Sequence, residues 1–207
     1  MKFRLSSVMI SLSYPLTAAI CIVLIADRSF TALSAIINAA LHELGHIVLL
    51  CCFGCKVKSI SLGLFDINIK KQDCPLTINQ EIAVALAGAA ANLICAGIYI
   101  LIYYFTEFDL LLTFFLSAVC LACFNLLPVE SLDGGCALTL ILLKYFNCST
   151  ASTIITIVSV VVLAPMACFG FIVLLNTKYN FTLLFTSCYL LAIILLKKKR
   201  EFNLYRN

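Results

Sequence analysis

The sequence predicts an all-α polytopic membrane protein, with about six transmembrane helices and a short membrane-associated β insert after the second. Three observations carry this. The 207 residues are 63% hydrophobic and 12% charged, where soluble domains run at roughly 45–50% and 25%. Mean hydropathy is +1.11. Apolar runs near the length that crosses a bilayer, roughly 20 residues, recur along the chain. After the second run, the apolar period drops to two. Burial in lipid thus replaces a large aqueous core, and residues 1–207 read as a single membrane domain with no linker, repeat or soluble domain. The net charge of +4 is small and its basic residues sit at chain ends and in one loop. That pattern signals orientation and excludes a nucleic-acid surface.

The first span is expected over residues 8–26, behind Lys2 and Arg4, as a retained helix that Pro15 can kink. Asp27 and Arg28 form a short loop before the second span, 30–53. From Lys56 to Lys71, Ile60, Leu62 and Leu64 alternate with Ser59, Ser61 and Gly63. The phase then shifts, so that Phe65, Ile67 and Ile69 alternate with Asp66, Asn68 and Lys70. This reads as a β insert over 56–71, either two short strands or one strand broken near Leu64-Phe65. Pro75 ends it. Thr77 and Gln80 have the spacing of a capping box and open the third span, 79–105. Ala83, Ala87, Ala91 and Cys95 recur every fourth residue there, a small-residue stripe that lets membrane helices approach closely. The fourth span, 110–127, runs into a segment broken by Pro128, Gly134 and Gly135. A short helix near Cys136 to Phe146 leads to the last two spans, 151–175 and 181–196, and to the basic cluster Lys197 to Arg200.

With six crossings, Lys2, Arg4, Lys56, Lys58, Lys70, Lys71, Lys144 and the terminal cluster fall on one side. The positive-inside rule makes that side, with both termini, cytoplasmic. Cys51, Cys52, Cys55 and Cys74 then lie near a reducing compartment, so the twelve cysteines are not read as a disulfide framework.

The second span contains His42-Glu43-Leu44-Gly45-His46, and these are the chain's two histidines. H-E-x-x-H on a helix sets two imidazoles a turn apart on one face, the arrangement for two ligands on one zinc ion. The glutamate is then placed as general base toward a water at that ion. An ionisable group at the centre of a membrane helix costs roughly 2.5–3.5 kcal/mol on insertion scales, which points to function rather than packing. A catalytic zinc usually takes three protein ligands. A metzincin pattern fails, because Leu49 and Cys52 stand where its glycine and third histidine belong. Glu107 and Asp109 lie on the far side, and Asp66, Asp73 and Glu81 near the interface. Asp133 follows a span, in a segment that Gly134 and Gly135 free to turn inward, and is the candidate third ligand. Asn125 is the first candidate donor to an oxyanion and Asn92 the second. Ile67 and Ile69 mark a candidate edge strand that could hold an unwound substrate by strand addition.

Two motifs together resemble a known family. His42 to His46, Asn125 through Gly135 as N-x-x-P-x-x-x-L-D-G-G, and Gly88 to Asn92 as G-P-x-x-N are similar to those of the site-2 protease family of intramembrane zinc metalloproteases. Ala89 and Ser131 depart from the family's usual prolines and leave the ligand positions intact. The compact shape is most similar to the stage IV sporulation protein FB branch, without its C-terminal nucleotide-sensing domain. The resemblance implies one Zn2+ per chain held by His42, His46 and Asp133, with Glu43 as general base. It implies a membrane-anchored protein substrate in the bilayer of a bacterial cell membrane, sporulation sigma-factor processing as a setting, and a membrane regulatory protein or homo-oligomer as partner. A metal transporter using the same His/Glu/Asp site is the rival reading. It would call for further ionisable groups along a path, whereas the acids at membrane depth reduce to Glu43 and Asp133.

Overall fold

The computed structural model describes the backbone of residues 2–5, 8–12, 14–27, 29–55, 57–62, 67–71, 74–178 and 181–206. It describes the side chains of residues 14–15, 17–27, 29–55, 74–178, 181–194 and 196. The body is helical, with seven helices among the described residues: α1 (Tyr14–Ala26), α2 (Thr31–Cys52), α3 (Ile78–Thr106), α4 (Leu110–Asn125), α5 (Asp133–Leu142), α6 (Cys148–Thr177) and α7 (Thr182–Arg206). Four short strands, β1 (Lys2–Leu5), β2 (Val8–Leu12), β3 (Val57–Leu62) and β4 (Ile67–Lys71), join in the order β1-β2-β3-β4. The chain divides into two compact units, Met1–Phe124 and Asn125–Asn207.

Three helices are long and apolar enough to cross a membrane: α2, α3 and α6, at 22, 29 and 30 residues. They match the expected spans 30–53, 79–105 and 151–175. Two of the other three expected spans, the first and the fourth, are shorter as helices. The run 8–26 divides, because Val8–Leu12 pairs in parallel with β3 and the helix starts only at Tyr14. Pro15 explains the break. It has no N–H to give to a helix arriving from upstream, yet its fixed φ suits a first turn. The remaining 13 residues are about 20 Å long, short of a hydrocarbon core of roughly 30 Å. Helix α4 has 16 residues and stops at Asn125, three before Pro128. Helix α7 has 25 residues, and its apolar sequence ends at Leu196, before Lys197 to Arg200.

In the first unit, α2 and α3 pack side by side. The small residues Ala85, Ala89 and Ala96 of α3 are buried, as are Ala118 and Ala122 of α4. Close approach through small side chains is how membrane helices gain dispersion contacts without a hydrophobic driving force. A polar knot fastens the three helices. Asn38 of α2 donates to the Phe114 carbonyl (3.1 Å) and to Ser117 Oγ (2.6 Å) and accepts from Tyr99 OH (3.3 Å). Asn38 is fully buried, and these bonds satisfy it at membrane depth.

Asp27 caps the start of α2, where Phe30 adopts a left-handed conformation. Its Oδ2 accepts from the Ala32 amide (2.7 Å) and its Oδ1 from the Ser29 amide (2.9 Å) and hydroxyl (2.7 Å). The Ser29 hydroxyl, followed by the Ser29 amide, holds the Asp27 carboxyl below its ordinary value. The cap is therefore at full strength above the ordinary carboxylate pKa and weakens as pH falls through the lowered one. Helix α3 opens on the expected capping box: Gln80 N donates to Thr77 Oγ1 (3.3 Å) and Thr77 N to Gln80 Oε1 (2.9 Å).

Cys55 and Cys74 form a disulfide, with Cα atoms 5.6 Å apart. The loop cysteines are expected to be unpaired in a reducing compartment; the fold nevertheless brings these two close enough to bond. Strand β4 runs antiparallel to β3, with Ile69 beside Ile60 and Ile67 beside Leu62. The chain thus returns to the end of α2 before α3 begins, which brings two cysteines 19 residues apart together. Residues 63–66, where the strand break was expected, lie outside the described residues.

In the second unit, α6 continues through Pro165, and its hydroxyls fold back on its own carbonyls. Thr153, Thr156, Ser159 and Thr177 each donate to the carbonyl four residues earlier, at 2.7–2.9 Å. That satisfies a polar side chain inside an apolar helix. Helices α6 and α7 meet where Gly170 lies against Leu184.

Candidate metal centre

On α2 the four-residue spacing brings His42 and His46 onto one face. Their Nε2 atoms are 3.3 Å apart, with the rings nearly perpendicular at 82°. Two nitrogen ligands on a tetrahedral zinc, at bonds of about 2.0–2.1 Å, are separated by about 3.3–3.4 Å. The pair therefore already has the spacing a shared ion requires. His42 is 5% exposed, and His46 and the adjacent Glu43 are half-buried.

Helix α3 sets the orientation of both rings. His46 Nδ1 lies 2.7 Å from the Val84 carbonyl oxygen. A carbonyl only accepts, so the hydrogen is on Nδ1, and Nε2 of the neutral ring carries the lone pair a metal needs. Asn92 Nδ2 lies 3.2 Å from His42 Nδ1. The α3 backbone also forms the floor under the two nitrogens at Gly88. A Cβ there would come within 2.6 Å of His42 Nε2 and 2.5 Å of His46 Nε2. Gly88→Ala is accordingly expected to push the imidazoles apart and lower zinc affinity by about tenfold or more, the scale of losses seen when the support of a metal ligand is removed. Helicity should stay unchanged, since alanine favours a helix over glycine. Zinc per chain after dialysis against a weak chelator, read beside circular dichroism, checks both.

In the second unit, Asp133 is the first residue of α5. The Asp-Gly-Gly sequence was expected to be irregular, with the helix beginning near Cys136. It forms the first helical turn instead, where an acidic residue favours the dipole. Both glycines are required by close approach: a Cβ on Gly134 would strike the Leu126 and Leu127 carbonyls, and one on Gly135 the Val129 carbonyl. The turn before α5 is fixed by Val129 N to Leu127 O and Leu132 N to Val129 O, both 2.8 Å. Ser159 of α6 pins it, accepting from Glu130 N (2.8 Å) and donating to the Ile155 carbonyl (2.7 Å). Val129 is fully buried at this point. Asn125, half-buried, is the last residue of α4 and the first of this unit. Ile67 and Ile69 lie on β4, at an edge of the four-stranded sheet.

Sequence reasoning missed three groups. Val84 acts through its backbone carbonyl, which no side-chain pattern reveals. Asn38 is one turn before His42 on the same face, and that spacing was the available signal. Ser159 bonds to a backbone amide 29 residues earlier, a contact without periodicity.

No family model matches the chain, and no curated protein matches it. Among solved structures it is similar to the "Site-2 Protease from Methanocaldococcus jannaschii", with 22% sequence identity and a TM-score of 0.66 over 92% of this chain and 91% of that one. At that identity the likeness shows a shared fold.

Proposed function

We propose that the chain is an intramembrane zinc endopeptidase of the site-2 protease kind, which hydrolyses a peptide bond within or next to a transmembrane segment of a membrane-anchored protein. The observation that carries this is the pair of imidazoles with facing Nε2 atoms 3.3 Å apart. They stand beside Glu43 on a helix long and apolar enough to cross a membrane. The fold likeness to a site-2 protease supports the same reading.

In this reading the 207 residues act as one protease domain. His42, His46 and Asp133 hold one Zn2+ per chain, two imidazole nitrogens and one carboxylate oxygen, a donor set of catalytic zinc sites. Zinc held there would supply Lewis-acid polarisation of the scissile carbonyl and a lowered pKa for the attacking water. Glu43 takes the proton from that water and returns it to the leaving nitrogen. Asn125 is the donor to the developing oxyanion, because the Asn92 amide is engaged with His42. Zinc flux across reconstituted vesicles, set beside cleavage of a panel of membrane-helix substrates by wild-type protein, tests the reading. Cleavage is expected; zinc flux with no cleavage would replace the protease by a transporter.

Strand β4 supplies the place where an unwound substrate is held. A helical substrate hides its peptide bonds in its own hydrogen bonds, and an edge strand offers replacements. Proline at Ile67 or Ile69 is expected to cut turnover several-fold with zinc content unchanged; full turnover in both variants would remove β4 from the mechanism.

For topology we propose six crossings with both termini cytoplasmic, in which α1, α4 and α7 complete the count by local bilayer thinning. Cys55 and Cys74 then face the reducing side, and the pair is expected to alkylate in untreated cells and close only under oxidation. Protection from alkylation, with outside labelling of a cysteine placed at Lys58, would put the insert on the outer side. The resemblance to the sporulation branch adds a substrate class to the proposal, a membrane-tethered sigma-factor precursor.

A further inference from the structure

Asn92 of α3 is fully buried beside His42. Its amide nitrogen lies 3.2 Å from His42 Nδ1, while its Oδ1 is buried with no hydrogen-bond partner among the described residues. A buried acceptor without a donor is unfavourable and calls for an explanation. The explanation lies in the two tautomers of a neutral imidazole. If Asn92 Nδ2 donates to Nδ1, the ring hydrogen is on Nε2, the nitrogen that faces His46. That tautomer cannot hold a metal through Nε2. For Nε2 to coordinate, the hydrogen must move to Nδ1, which then needs an acceptor where Nδ2 now stands. The atom of Asn92 that accepts is Oδ1. A half-turn of the amide exchanges Oδ1 and Nδ2 in nearly the same volume. An aspartate would serve only one of these tautomers; an asparagine serves both.

We infer that Asn92 is the positioning residue for His42, and that its amide reverses when zinc binds. Nδ2 donates to Nδ1 in the zinc-free protein, and Oδ1 accepts from Nδ1–H in the loaded one. The inference rests on the zinc reading of the His42–His46 pair. It assigns Asn92 to the ligand rather than to the substrate. His46 needs no such partner, since the Val84 carbonyl fixes its hydrogen on Nδ1 in both states.

The test uses the full-length protein in detergent with histidine-selective 15N labelling. The chain has two histidines, so two imidazoles report. In zinc-free wild type, one ring is expected as the Nδ1–H tautomer (His46) and the other as Nε2–H (His42). Added zinc should convert the second to Nδ1–H. In Asn92→Asp, which can only accept, both rings should be Nδ1–H before zinc is added, and zinc affinity should equal or exceed wild type. In Asn92→Leu, zinc affinity should fall about 10–100-fold, as when a ligand loses its hydrogen-bond partner. A purely structural Asn92 would make the aspartate and leucine variants fail alike and leave the tautomers unmoved. The inference is overturned if the His42 tautomer is the same with and without zinc, or if Asn92→Asp loses zinc as Asn92→Leu does. If wild type binds no zinc, the metal reading fails. The zinc-free comparison then decides the Asn92 part: an Nε2–H to Nδ1–H change on Asn92→Asp supports it, and no change overturns it. Should Asn92→Leu fail to fold, wild type and Asn92→Asp carry the test alone.

Discussion

Glu43→Gln is expected to retain zinc and lose peptide cleavage. Glutamine keeps the length and most of the shape of glutamate, and the residue is half-buried on α2 between two histidines that it does not replace. What it lacks is the ability to take a proton and give it back. General acid–base transfer is worth roughly 10²–10⁴-fold in rate, and the loss should fall almost wholly on kcat. Zinc per chain, measured by elemental analysis, should match wild type. A variant with wild-type turnover would move the base elsewhere. A variant that lost both zinc and turnover would make Glu43 a support of the metal rather than a base.

Asp133→Asn should fail in the opposite order, metal first and turnover with it. The substitution removes the negative charge of the proposed third ligand while keeping the side chain's size and its place at the start of α5. The drop in zinc affinity is expected to exceed the roughly 10–100-fold typical of losing a ligand's hydrogen-bond partner. Helicity should hold, because the first turn of α5 is also fixed by Cys136 N donating to Leu132 O at 2.9 Å. Full zinc and full activity in Asp133→Asn would move the third ligand elsewhere. Glu130, three residues earlier, would be next to test; its carboxylate lies 3.5 Å from Thr156 Oγ1.

The motif residues were legible because their chemistry is local. A four-residue spacing on a helix fixes the geometry of His42 and His46 wherever the helix goes, and α2, α3 and α6 were legible because long apolar runs have few alternatives. What stayed hidden depends on pairing across the sequence. Val8–Leu12 reads as helix by hydropathy and becomes a strand because β3 is there to pair with it. Cys55 and Cys74 meet because β3 and β4 turn the chain back. Asp-Gly-Gly has the composition of a turn, yet the carbonyls of Leu126 and Val129 approach so closely that only glycine fits the first turn of α5. Asn92 was visible as a polar residue at membrane depth, but its partner, His42, is 50 residues away.

Zinc-restored cleavage tests the central claim most directly. Wild-type protein is stripped with a chelator in detergent, then titrated with zinc while cleavage of a membrane-helix substrate is followed. Cleavage is expected to vanish on stripping, to return with added zinc, and to saturate at one zinc per chain. Cleavage that persists through chelation, or saturating zinc that restores none, would contradict a zinc endopeptidase built on His42, Glu43 and His46.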